Sequence, residues 1–145
     1  NMLGEEDINK QGFHRWEEDT RMSSMMSPTV VLLPKGEKMG LGSGGSNRIR
    51  SAISQTIMNY VDFQLQFDDV VNNPRIHLEN DHLDVEPGFR IEELDKIKLP
   101  PGVEKFYWND QNMYFGGAHS VFMDAQGRLG GAGDRRRVGH VIKVY

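Results

Sequence analysis

The stretch that decides the fold is GLGSGGSNRI at residues 40–49, a glycine-rich turn that leads directly into a segment of helical apolar spacing. Glycine has no Cβ, so such a turn can adopt positive φ and let the backbone approach a ligand closely. The helix predicted from Asn47 to about Phe63 leaves its first N–H groups unpaired and carries partial positive charge at that end. The turn therefore predicts a site for a phosphate, a carboxylate or a transient oxyanion, and the stretch alone leaves all three open.

Composition narrows the class of protein. The chain has 145 residues, a net charge of -4 and no cysteine. This length suits a single domain, 1–145, and the acidic charge argues against a nucleic-acid partner. The basic run at residues 135–137 is expected to be a solvated loop. Without cysteine there are no disulfides, thiolate metal sites or cysteine nucleophile, and the histidines lack metal-ligand spacing, so we expect no metal and no cofactor. No apolar run is long enough for a membrane span.

The pattern around the turn predicts a mixed α+β fold. Apolar residues at 29–33 and a short run at 38–41 predict a hairpin whose second strand ends in the glycine turn. Continuous apolarity in the first strand predicts burial on both of its faces. Further strands are predicted at residues 75–78, 82–86, 118–123, 128–132 and 138–145, and further helices at 68–73 and 89–98. Helices alternating with hairpin-connected strands are typical of the α+β class.

A nucleotide site is the least favoured interpretation of the glycines. Gly40, Gly42 and Gly45 satisfy the G-x-G-x-x-G pattern, and Asp68 lies at roughly the spacing of a ribose-binding acid. The strand before this turn, however, is predicted to be the short second strand of a hairpin. The dinucleotide-binding motif instead follows a buried strand of a parallel sheet. A serine–histidine triad also lacks support, because no serine lies in a nucleophile elbow.

Five motifs, in order along the chain, resemble those of gamma-glutamyltransferases, also called gamma-glutamyltranspeptidases. They are RMSSMMSPT at residues 21–29, GSGGSNRI at 42–49, NPRIH at 73–77, YFGGAH at 114–119 and GAGDRR at 131–136. The first is similar to the family's serine-pair motif, the second to its oxyanion turn and the third to its Ala-Pro-Arg-Phe-His segment. The chain is thereby identified as the C-terminal part of the family's small subunit.

The resemblance implies a fold, a reaction and a partner. The fold is the N-terminal-nucleophile hydrolase αββα sandwich, built from a large and a small chain that self-cleavage cuts from one precursor. An N-terminal threonine attacks the amide of glutathione or another γ-glutamyl compound, and its own α-amine serves as the base. We expect that threonine to lie outside this chain, in the rest of the precursor, and the chain alone to be inactive. The resemblance favours a periplasmic or extracellular location.

Site residues carry over from the motifs. Ser23 and Ser24 match the pair that binds the substrate α-carboxylate, and Gly44 and Gly45 match the paired glycines whose N–H groups stabilise the tetrahedral oxyanion. Family members usually read Gly-Ser-Pro-Gly-Gly-Ser-Arg-Ile, and a gapless alignment moves the two donors to Gly45 and Ser46. Both registers supply N–H groups to the site.

The start of the chain departs from the family pattern. Glu5 takes the place of the last acid in the family's amine-binding motif, whereas Met2 replaces another of its residues. The lost amine contact favours a divergent homologue that acts on another amide or on a differently substituted acyl group. A non-catalytic binding domain of the same fold is the alternative.

Overall fold

The computed structural model describes residues 8–9, 11–12, 15–142 and 144. The strands are β1 (Thr29–Leu32), β2 (Lys38–Gly42), β3 (Ile76–Glu79), β4 (His82–Val85), β5 (Glu104–Tyr107), β6 (His119–Met123) and β7 (Leu129–Ala132). The helices are α1 (Arg48–Val61), α2 (Phe67–Asn72) and α3 (Ile91–Leu94), with 3-10 helices at Met113–Phe115 and Arg135–Arg137. Within this described part of the chain, every helix is too short or too polar to cross a membrane.

The larger sheet places the glycine turn at the end of a central strand. Its order is β1-β2-β6-β7, and all neighbouring strands are antiparallel. Gly40 of β2 lies between Val30 of β1 and Val121 of β6. On the other face of the sheet, Met39 and Phe122 are buried under α1 and α2. The predicted hairpin at residues 29–41 is confirmed, and β2 is not the parallel strand that a dinucleotide fingerprint requires.

The second face of this sheet has no helix over it in the described part of the chain, although Val141 packs against it at Gly131. Side chains of β1, β6 and β7 alternate between the two faces, so that Val30 is 72% exposed, Val121 64% and Leu129 72%. Burial of β1 on both faces was therefore a wrong prediction for the described residues. The helices α1 and α2 cover only one face, and the apolar side chains on the other have no such cover.

The smaller sheet carries β3, β4 and β5, with β3 and β4 antiparallel and β4 and β5 parallel. The strands predicted at residues 75–78 and 82–86 correspond to β3 and β4. The helix predicted at residues 89–98 shortens to Ile91–Leu94. The strand predicted at 138–145 is absent from its described residues: Val138 has a left-handed backbone with φ 53 at the end of the preceding 3-10 helix, and Gly139 packs against His119 and Gly133.

A polar stripe on α1 fastens the start of this helix to β3. Ser51 Oγ lies 2.6 Å from His77 Nδ1, and the Gln55 amide exchanges hydrogen bonds with the backbone N–H and C=O of Ile76. Residues four apart share a helix face. This polar face contacts the second sheet and so fixes the direction in which α1 leaves the glycine turn.

Candidate active site

The turn between β2 and α1 presents backbone donors. Gly45 has φ 121 and Ser46 has φ 54, so two consecutive residues lie outside the usual negative-φ region. The carbonyl groups of Gly45 and Ser46 accept from Arg48 N and Ile49 N at 3.1 and 3.0 Å, which begins the helix. Among the residues that the structure describes, the N–H groups of Gly44 and Gly45 have no acceptor. These donors lie at a helix N-terminus, where a negative charge is stabilised.

A pair of glycines on the neighbouring chain segment holds the turn closed. Ser43 Oγ accepts from Gly117 N at 3.1 Å and donates to the Gly44 carbonyl at 3.0 Å. Gly116 has φ 84, and a Cβ there would lie 2.8 Å from Ser43 Oγ. A side chain at residue 116 would therefore push the turn away, which explains the glycines in the YFGGAH motif.

The first turn of α1 is clamped through a buried histidine. Asn47 Nδ2 donates to Glu79 Oε1, and the other oxygen of Glu79 lies 3.2 Å from His77 Nε2. His77 is 2% exposed and completes the link with Ser51. The two ring nitrogens of His77 thus bridge the Ser51 hydroxyl and the Glu79 carboxylate. Asn47 and Ser51 therefore cannot shift without disturbing β3.

Arg48, the first residue of α1, is held by Tyr114. Its Nε donates to the Tyr114 carbonyl at 3.2 Å, and its guanidinium lies 4.7 Å from the centre of the Tyr114 ring. The Tyr114 hydroxyl donates to Asp84 at 2.7 Å. Burial and this hydrogen bond to Asp84 raise the pKa of Tyr114 to about 12. Tyr114 therefore remains a hydrogen-bond donor at neutral pH and links α1 to β4.

A buried network of four charges supports residues 115–118, which in turn hold the glycine turn. Arg75 pairs with Asp134 at 2.7 Å, and Arg136 pairs with both Glu86 and Asp134. Each of these side chains is at most 8% exposed. Arg75 also donates to the Phe115 carbonyl, and Asp134 accepts from Ala118 N. Two cations balance two carboxylates, which is what allows these charges to be buried.

The serine pair lies beside the turn through its neighbour Met25. Ser46 Oγ donates to Met25 Sδ at 3.4 Å, and Met25 packs against the core under the larger sheet. Ser23 and Ser24 are exposed, and Ser24 Oγ accepts from Met26 N at 3.1 Å. Met25 therefore attaches the segment that carries Ser23 and Ser24 to the turn, and both serines are exposed.

Ser23 also borders a cavity of about 370 Å³ that Trp16, Thr20 and Arg21 help to line. The third predicted substrate contact, Glu5, lies outside the described residues. Its role in binding the substrate stays a prediction.

The sequence model of the gamma-glutamyltranspeptidase family matches residues 3–144 of this chain. The chain belongs to the gamma-glutamyltranspeptidase family. It is 32% identical over 127 residues to the glutathione hydrolase proenzyme of Escherichia coli K12, covering 86% of the chain and 21% of that protein. It is 28% identical over 138 residues to the capsule biosynthesis protein CapD proenzyme of Bacillus anthracis, covering 92% and 25%. The chain thus spans about a fifth to a quarter of the length of these relatives.

Solved structures of the family have the same fold. The transpeptidase enzyme CapD of Bacillus anthracis superposes with a TM-score of 0.72 at 25% identity, covering 99% of this chain and 90% of that one. The gamma-glutamyltranspeptidase of Pseudomonas nitroreducens, crystallised with L-DON, gives a TM-score of 0.69 at 24% identity, covering 90% and 67%. The predicted family and the predicted class, part of an α+β N-terminal-nucleophile hydrolase, are confirmed.

Several residues of this candidate site were not identified from the sequence. The basic run at residues 135–137 is not a uniformly solvated loop, because Arg136 is buried and Arg137 is half-buried. Glu79 and Glu86 were not singled out, although they hold His77 and Arg136. For Arg136 the available signal was its position inside the GAGDRR motif, and for Glu79 its position two residues after the NPRIH motif; Glu86 lies in no motif and gave no such signal.

Proposed function

We propose that this chain forms half of the acyl-transfer site of a gamma-glutamyltranspeptidase-like enzyme. The turn at residues 44–46 stabilises the oxyanion, and Ser23 and Ser24 bind the substrate α-carboxylate. The threonine nucleophile and the rest of the pocket come from other parts of the precursor. The observation that supports this most strongly is that, among the described residues, the N–H groups of Gly44 and Gly45 have no acceptor, and that the segment with the serine pair contacts this turn through Met25.

The proposed reaction uses these groups in sequence. The threonine hydroxyl oxygen attacks the γ-carbonyl carbon while the threonine α-amine takes the hydroxyl proton. The carbonyl oxygen becomes an oxyanion that the backbone N–H groups of the turn stabilise, by about 3 kcal/mol for each donor. The C–N bond then breaks, the leaving amine takes the proton, and water or an acceptor amine releases the acyl group. In this chain the serine pair fixes the far end of the substrate, so that the carbonyl meets the turn.

The backbone of the turn supports one of the two possible registers. Glycine is the residue that tolerates positive φ without strain, and the positions with positive φ here are 45 and 46. These are the positions at which a gapless alignment places the family's two glycines. We therefore favour Gly45 and Ser46 as the equivalents of the paired glycines, with the Gly44 N–H as an additional neighbouring donor.

The open face of the larger sheet supports the proposed partner. Val30, Val121 and Leu129 form an apolar surface on the face opposite α1, and large exposed apolar surfaces mark interfaces. We propose that the remainder of the same precursor covers this face and so supplies the second sheet of the sandwich.

The full-length protein tests the proposal with γ-glutamyl-p-nitroanilide as the substrate. We expect saturable release of p-nitroaniline, and in the presence of a dipeptide acceptor we expect the γ-glutamyl dipeptide as a second product. Binding of the anilide without turnover would instead support the non-catalytic binding domain. A rise of the melting temperature with NAD, and no response to the anilide, would support the nucleotide-binding alternative.

A further inference from the structure

The side chain of Arg137 passes across the glycine turn. A Cβ on Gly117 would lie 2.4 Å from Arg137 Cδ, and a Cβ on Gly44 would lie 3.5 Å from its Cζ. On Gly45, a Cβ would lie 3.6 Å from Arg137 Nη2. Three glycines thus form a cradle for one arginine, and at residue 117 any side chain would collide with it. The packing brings the guanidinium against the Gly44–Gly45 peptide.

The charge of Arg137 has no acidic partner in the described part of the chain. Its neighbours Arg135 and Arg136 pair with Asp68 and Glu86, but Arg137 forms no ion pair there. Its Nη2 reaches only the Met113 carbonyl, at 3.4 Å, and its Nε is buried without an acceptor. Leaving a buried donor unpaired is unfavourable, as is the left-handed backbone of the next residue, Val138. Strained or unpaired groups of this kind cluster at functional sites.

We infer that Arg137 is a positioning residue for the oxyanion turn. Its guanidinium packs against Gly44 and Gly45 and so holds beside the turn a positive charge that has no acidic partner among the described residues. Such a charge stabilises a developing oxyanion more than it stabilises a neutral carbonyl, so its effect falls on the transition state and not on substrate binding. The inference rests on the proposed function, because it needs an anion to form at the turn.

Three variants of the full-length protein test this role in the anilide assay. Arg137→Met removes the charge and keeps the length, Arg137→Lys keeps the charge, and Arg135→Met is the matched control in an exposed pair with Asp68. For Arg137→Met we expect kcat to fall by about tenfold or more with KM within about twofold of the wild-type value. Arg137→Lys should recover part of kcat, and Arg135→Met should stay within about twofold for both constants.

A boronic acid analogue of the γ-glutamyl group gives an independent readout, because it forms a tetrahedral anion. Its inhibition constant should rise in Arg137→Met by about the factor by which kcat/KM falls, whereas affinity for free glutamate should not change. Should Arg137→Met not fold, Arg137→Gln compared with Arg137→Lys contrasts a neutral with a charged side chain in the same way.

The inference is overturned if kcat of the neutral variant equals that of the wild type. It is also overturned if KM rises while kcat is kept, or if the lysine and neutral variants are equally impaired. An inactive wild-type protein would contradict the proposed function instead.

Discussion

At the scale of single residues, Ser46 has a backbone conformation that serine disfavours. Its φ of 54 is a left-handed conformation, which disfavours residues with a Cβ by about 1–2 kcal/mol. Glycine would remove this strain but would lose more chain entropy on folding, by about 0.5–1 kcal/mol. We therefore predict that Ser46→Gly raises the unfolding free energy of the full-length protein by up to about 1 kcal/mol, measured by urea denaturation.

Ser54→Gly is the matched control for this prediction. Ser54 is an exposed residue within α1 and has an ordinary helical backbone, so glycine there should lower the unfolding free energy. Destabilisation of both variants to the same extent would show that position 46 carries no backbone strain.

Asp134 makes a prediction about pH. Burial alone would raise the pKa of Asp134, but Arg75, Arg136 and the Ala118 N–H outweigh it and hold the pKa below its ordinary value. The folded pKa thus lies below the unfolded value of about 3.9, so ionised Asp134 contributes stability above that pH, and the contribution is lost as pH falls through the folded pKa. We expect the urea midpoint of the wild-type protein to fall below about pH 4.

The Asp134→Asn variant isolates this contribution. Near neutral pH it should be less stable than the wild type by about 3–5 kcal/mol, because it leaves two buried arginines with one carboxylate between them. On acidification below about pH 4, the urea midpoint of this variant should then fall less than that of the wild type. Asp68→Asn is the control, since the pair between Asp68 and Arg135 is exposed and should matter little. An equal fall of the urea midpoint on acidification in the wild type and in Asp134→Asn would contradict this role of Asp134.

At the scale of elements, the clamp between α1 and β3 sets where the proposed oxyanion donors lie. Glu79→Ala would leave the Asn47 amide and the buried His77 ring without their shared acceptor. We predict a loss of about 1–3 kcal/mol in unfolding free energy, and a fall in kcat that exceeds any change in KM, because α1 can then shift at its first turn. Urea denaturation and anilide kinetics measure the two effects.

Glu92→Ala serves as the control for the clamp. Glu92 is exposed on α3 and should affect neither quantity. A Glu79→Ala variant with wild-type stability and kinetics would show that His77 and Asn47 hold their positions without Glu79.

Local patterns predicted those elements whose apolar residues follow a regular period. Five elements lie where they were predicted: the hairpin strands β1 and β2, the helix α1 and the strands β3 and β4. Each was predicted from the spacing of its apolar residues and from the turn residues next to it. The strand predicted at 138–145 was wrong for its described residues, because long-range contacts outweigh the β-propensity of valine and isoleucine. Gly139 packs against His119 and Gly133, and this contact is not visible in a local pattern.

The same limit applies to the candidate site. The glycine turn and the serine pair were found because they lie in continuous motifs. Glu79, Glu86 and Arg137 were not, because their partners are 32, 50 and 93 residues away along the chain in Asn47, Arg136 and Gly44. From the sequence alone, a charged residue is expected to be exposed to solvent, and only the structure shows which element buries it.

At the scale of the whole molecule, the open face of the larger sheet predicts dependence on the rest of the precursor. Val121→Glu places a charge at the centre of this face, where Val121 is 64% exposed in the described part of the chain. In the full-length protein we expect this variant to unfold at a lower temperature and to yield less active enzyme, because the charge would be buried between two sheets.

Ile91→Glu is the matched control for the sheet face. Ile91 is 61% exposed but lies on α3, away from the larger sheet, so its variant should melt as the wild type does. Equal melting temperatures for Val121→Glu and the wild type would contradict a buried role for this face.

The serine pair offers the most direct test of the account, which is that an oxyanion turn and two neighbouring hydroxyl groups form half of one pocket. In full-length protein, Ser23→Ala combined with Ser24→Ala should raise KM for γ-glutamyl-p-nitroanilide by about tenfold or more and leave kcat within about threefold. This follows because, in the proposed reaction, the hydroxyl groups bind the substrate carboxylate, whereas the threonine and the oxyanion turn act on the γ-carbonyl group. An unchanged KM in the double variant would contradict the account.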